Sequence, residues 1–79
     1  MSDLFATVAY FTRIVDSGDY YVVEYFDKKY IVRKRSIEHD VMNILKDVSC
    51  YYVHAFLRVL SLRMRFNEDV VMRNIRCYV

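Results

Sequence analysis

The sequence predicts a small α+β domain, a three-stranded antiparallel meander packed on a long amphipathic helix (β-β-β-α). Three observations carry that reading. Short runs rich in β-branched and aromatic residues, separated by turn-type clusters, fill the first 35 positions. Between Ser36 and Phe66 the apolar residues recur at spacings of three and four. The chain has 79 residues, which make one domain, 1–79, and leave no room for a second.

The first run, Leu4–Val15, admits two readings. As a helix, Leu4, Val8, Phe11 and Val15 form a stripe behind a Ser2 cap. As a strand, Val8, Tyr10, Thr12 and Ile14 share one face. The strand reading is preferred because its face continues across a turn. That turn, Asp16-Ser17-Gly18-Asp19, holds the only glycine in a chain without proline. Placing Val15 opposite Tyr20 extends the face into Tyr21, Val23 and Tyr25. The helical reading gives the alternative order α-β-β-α.

The second turn falls at Asp27-Lys28. It sets Phe26 opposite Lys29, Tyr25 opposite Tyr30, Val23 opposite Val32 and Tyr21 opposite Lys34. One sheet face is then almost wholly apolar. The other carries Arg13, Tyr20, Phe26, Lys29, Arg33 and Arg35, interleaved with Phe11, Val22, Glu24 and Ile31. A slip of one residue would mix the two sets.

Ser36 suits a helix N-cap, and Glu38 and Asp40 put negative charge where the helix dipole favours it. The apolar stripe runs Ile37, Val41, Ile44, Val48, Tyr52, Ala55, Val59, Leu62, Phe66, widened by Leu45, Val53, Phe56 and Leu60. An unbroken helix of that span would measure about 45 Å. A compact domain of this length has a radius of gyration of only about 12 Å. The helix must therefore break near Asp47–Ser49 or overhang and meet another copy. Val48 keeps the stripe intact through that point, so a continuous helix is expected, with contact between copies at Tyr52, Phe56, Val59 and Leu60. The tail Val70–Val79 reads either as a helix capped by Asn67 or as a strand with Val71, Ile75, Cys77 and Val79 on one side.

Composition narrows the function classes. Hydrophobic residues make up 56% of the chain, above the roughly 45–50% of ordinary domains, and a small domain buries little of such an excess. Self-association, as a homodimer, is the expected outlet. Net charge is only +2, with the cations gathered in Lys28-Lys29, in Arg33-Lys34-Arg35 and in the series Arg58, Arg63, Arg65, Arg73 and Arg76. A dedicated nucleic-acid binder is more strongly basic.

A single glycine rules out a glycine-rich phosphate loop. Asp47, Cys50 and His54 are spaced to share one face of a helix, which leaves a Cys/His-based enzyme or metal site as a minor alternative. Their position opposite the apolar stripe favours a solvated surface instead. No apolar run is long enough for a membrane helix, and the start Met1-Ser2-Asp3 is unlike a secretory signal. The expectation is a cytoplasmic protein with reduced cysteines, no cofactor, no membrane contact and no evident small-molecule substrate.

No stretch carries a family signature. Short length and scarce Gly and Pro are compatible with a small virus- or phage-encoded accessory protein, though no motif supports that. The sequence thus points to a non-enzymatic binding or regulatory module, homodimeric through its helix. The basic and aromatic sheet face (Arg13, Tyr20, Phe26, Lys29, Arg33, Arg35) would hold a macromolecular partner. Protein is favoured over RNA or single-stranded nucleic acid, because exposed apolar residues are mixed with the cations.

Overall fold

Leu4–Val15 turns out to be both helix and strand. In the computed structural model, which describes residues 3–75, the order is α1 (Leu4–Tyr10), β1 (Thr12–Asp16), β2 (Tyr20–Tyr25) and β3 (Lys28–Arg33). A 3₁₀ turn (Lys34–Ser36) leads to α2 (Ile37–Leu45), α3 (Cys50–Arg63) and α4 (Glu68–Asn74). The meander and the α+β class are as expected. The N-terminal helix belongs to the alternative order, and the long helix is divided.

α1 is capped by Asp3, whose carboxylate accepts from the Ala6 amide at 3.2 Å; the expected cap, Ser2, lies outside the described residues. A helix this short has little stability of its own. Only Val8 is buried along it. Its far end is held by side chains instead. Thr12 Oγ1 donates to Val8 O at 2.7 Å, and Arg63, at the end of α3, donates to Ala9 O at 3.1 Å and Thr12 O at 2.6 Å. A cation on the last carbonyls of a helix satisfies orphan acceptors and complements the dipole.

The sheet is antiparallel with order β1-β2-β3. Both hairpins are offset by two residues from the expected register. Thr12 faces Tyr25, Ile14 faces Val23 and Asp16 faces Tyr21; Val23 faces Tyr30 and Tyr21 faces Val32. Because side chains alternate with period two, an even offset leaves every residue on its expected face.

The turns explain the shift. Gly18, at φ +90°, takes the first position of a tight turn closed by the Ser17 amide on Tyr20 O at 2.9 Å. Hairpin turns of this kind need a positive φ there, which glycine supplies without strain. The second turn centres on Phe26-Asp27, with Phe26 at φ +54°. A bulky residue in that region is strained. The Phe26 amide, bonded to Phe11 O at 3.0 Å, and the Phe26 ring, stacked on Phe11 with centroids 4.7 Å apart, hold it there.

The predicted continuous helix from Ser36 to Phe66 breaks between Leu45 and Cys50. Short-range bonds from the Asp47 amide to Ile44 O (2.9 Å) and the Val48 amide to Leu45 O (3.2 Å) tighten the end of α2. Ser49 then caps α3 by accepting from the Tyr51 amide. Val48 is buried at the elbow, so its apolar character serves a bend rather than a straight run. The break re-phases the helix. Val53, Phe56, Leu57, Leu60 and Met64 now point inward, while Leu62, on the expected stripe, is 68% exposed.

Ser36 precedes α2 but makes no side-chain cap bond, and its hydroxyl is buried without a hydrogen-bond partner. For the tail, the helical option holds: Asn67 Oδ1 accepts from the Asp69 and Val70 amides and starts α4. Cys77 and Val79 lie outside the described residues. The inner sheet face (Val23, Tyr25, Val32) joins Val8, Val41, Ile44, Phe56, Leu60 and Val71 in one core.

Candidate functional site

With the helices packed on one face of the meander, the other face is uncovered among the described residues. Register arranges it in rows across the strands. At one end Phe11 and Phe26 stack with planes 14° apart. Next come Arg13, Glu24 and Lys29, a carboxylate between two cations. Then come Val15, Val22 and Ile31, an apolar row in which Ile31 is 55% exposed. Tyr20 and Arg33 close the far end, where Asp19, Tyr20, Arg33, Lys34 and Arg35 line a shallow cleft of about 500 Å³.

All six residues expected to meet a partner are exposed: Arg13, Tyr20, Phe26, Lys29, Arg33 and Arg35. They do not form one cluster. Tyr20 and Phe26 lie at opposite ends of β2, about 20 Å apart at 3.3 Å per residue. Arg35 sits in the 3₁₀ turn rather than on β3.

Arg33 has a structural task. Its guanidinium makes paired bonds to Asp40, Nε to Oδ2 at 3.0 Å and Nη2 to Oδ1 at 2.9 Å, and its own amide donates to Oδ2 at 2.9 Å. Asp40, expected to serve the dipole of α2, therefore ties α2 to the end of β3. Hydrogen bonding from Arg33 holds the Asp40 carboxyl below its usual pKa, with burial opposing. Lys34 is likewise engaged, at 2.8 Å from Asp16 and above the Tyr21 ring. Hydrogen bonds from Lys34 and then from the Gly18 amide lower the pKa of Asp16.

The residues expected at a contact between copies have other work. Phe56, Val59 and Leu60 are at most 1% exposed, in the chain's own core. Only Tyr52 reaches the surface, half-buried beside the exposed Tyr51. The sequence placed them outside because it assumed a straight helix.

Asp47, Cys50 and His54 do not share one helical face, since Asp47 is in the elbow before α3. Among the described residues no group of three or more His, Cys, Asp or Glu is disposed to hold a metal ion. Cys50 is disulfide-bonded, which corrects the expectation of reduced thiols. Among the described residues no helix is long and apolar enough to cross a membrane.

Sequence reasoning left out Phe11, Val15 and Ile31 as site residues. Their place on the outward face was legible from alternation; that none of the described residues covers them was not. Comparison with family models, with curated proteins and with solved structures finds no match to this chain.

Proposed function

We propose that the chain is a small non-enzymatic binding module that holds a protein partner on the open face of its sheet. The observation that carries this is the apolar Val15–Val22–Ile31 row on the open face, set between the charged Arg13–Glu24–Lys29 row and the Tyr20–Arg33 end. An apolar centre with aromatic and charged flanks is the anatomy of a protein interface. Engagement of Arg33 and Lys34 by Asp40 and Asp16 also leaves less positive charge for phosphates than the sequence suggests. The test is recovery of the protein from its native cell, with and without nuclease, followed by mass spectrometry. A protein partner that survives nuclease and is lost on Ile31→Asp supports the reading. A partner released by nuclease overturns it.

Nucleic acid on the same face is the second reading, supported by the cleft where Tyr20 meets Arg33, Lys34 and Arg35. It requires binding to single-stranded RNA that weakens steeply with salt through counterion release. Affinity that is unchanged between low and moderate salt removes it.

Self-association belongs to the proposal, now through surface residues rather than the core of α3. Tyr10, Tyr51 and Leu62 are all more than half exposed, at 82%, 57% and 68%, and these are the outlets for the apolar excess. Sedimentation at micromolar concentration is expected to return a dimer; a monomer removes this part.

A further inference from the structure

We propose that the recess between the β2–β3 turn and the α2–α3 elbow binds a small alkylated ammonium group. The recess has a volume of about 380 Å³, within the usual range of small-molecule sites. Its walls include the rings of Tyr25, Phe26, Tyr30 and Tyr52 and two carboxylates, Asp27 and Asp47. It lies at one end of the sheet, and the reading does not rest on a partner for the open face.

Ring geometry favours a cation. Tyr25 and Phe26 meet at 87° with centroids 4.7 Å apart, and Phe26 and Tyr52 are 6.4 Å apart at 54°. Phe26 and Tyr52 both line the recess, and a cation seated between them would lie within the roughly 6 Å reach of a cation–π attraction. Aromatic walls with nearby carboxylates select alkylated ammonium ions over neutral molecules of the same shape, because both the quadrupoles and the anions favour positive charge. Among the described residues Lys28 is the one cation in the lining, against two carboxylates.

Two further observations mark this corner as built for an occupant. Among the described residues the buried Tyr30 hydroxyl has no hydrogen-bond partner. Such an orphan in a folded protein calls for an explanation. Phe26 is held at φ +54° at the lip, and strained backbone concentrates at ligand sites. Burial raises the pKa of the Tyr25 phenol, and Tyr52 and Tyr30 add to it, so the three phenols gather at one place.

The group could arrive on a small metabolite or on a methylated lysine of a peptide, and the experiment separates these. Dimethylammonium, choline, a dimethyl-lysine peptide and its unmodified counterpart are titrated into the intact chain, followed by backbone amide NMR shifts. The neutral isostere 3,3-dimethylbutan-1-ol serves as control for choline. The expected result is saturable shifts at Phe26, Asp27 and Tyr52, with the isostere bound at least about tenfold more weakly. A dimethyl-lysine peptide that binds about tenfold tighter than dimethylammonium identifies the peptide as source; equal affinity identifies the small ion.

Tyr52→Leu keeps an apolar side chain but removes the quadrupole and should weaken binding about tenfold. Asp47→Asn should weaken it about threefold. Ile31→Asp, on the open face, should leave these titrations unchanged. Equal binding of choline and its neutral isostere overturns the proposal, as does the absence of saturable shifts up to roughly 50 mM, the range of the weakest specific sites. Full retention of binding in Tyr52→Leu, with the fold intact by NMR, overturns it as well.

Discussion

Val22 and Val23 are neighbours in β2, and so are Ile31 and Val32 in β3. In each pair one side chain is fully buried, and the other stands on the open face. The inner set is enclosed by α2, α3 and Val8 of α1. The outer set differs little in composition, yet its surroundings are water, a stacked aromatic pair and a charged row. Residue type alone thus does not decide burial in this sheet; the number of layers does. A two-layer domain covers one sheet face and leaves the other to solvent or to something else. Apolar residues on that second face contribute little to folding, which frees them for binding.

The contrast predicts mutational effects of very different size. The largest belongs to the inner side. Phe56→Ala removes a fully buried ring that packs on Tyr25 at 4.3 Å and should destabilise by about 3–5 kcal/mol. Thermal denaturation should show a drop of well over 10 °C, or an unfolded chain. A small effect would mean that the core is not where it is drawn.

Asp40→Asn comes next, at the seam between the faces. It weakens the bonds to Arg33 and its strand-end amide, and the loss should be about 1–3 kcal/mol. This pair also sets a pH dependence. Asp40 titrates lower when folded than when unfolded. Its contribution is therefore complete above the unfolded carboxylate pKa of about 3.9 and is lost as pH falls through the lower folded value. Denaturation midpoints measured from neutral to acid pH should fall less steeply in Asp40→Asn than in the wild type.

On the outer face, Ile31→Asp should change stability by no more than about 0.5 kcal/mol, measured by urea denaturation, while it abolishes partner binding. A loss of several kcal/mol would show that the open face is covered after all.

The division into two faces was legible because alternation survives any even error in register, and both hairpins are offset by two residues. The placement of the second turn was not. Phe26 is a poor residue for positive φ, and tertiary contacts, with Phe11 fifteen residues earlier and with Tyr52, hold it there. The elbow between α2 and α3 was equally hidden, since buried Val48 satisfies a straight stripe and a bend alike. That one choice moved Phe56, Val59 and Leu60 from an expected contact between copies into the core. Arg33 looked like a binding residue for a related reason: its partner Asp40 also suits a helix N-terminus, and only the tertiary structure pairs them. Within the candidate site, exposure of the cations was readable and their engagement was not.

Arg63 donates to the carbonyls of Ala9 and Thr12, across 54 and 51 positions of chain. During synthesis the two hairpins can close on local contacts as soon as they emerge, because short loops form early. α1 has no such option. The Ala9 and Thr12 carbonyls also take a side chain made some fifty residues later, and Val8 waits with them for the core that α3 completes. The helix that precedes the hairpins in sequence is therefore expected to dock after them.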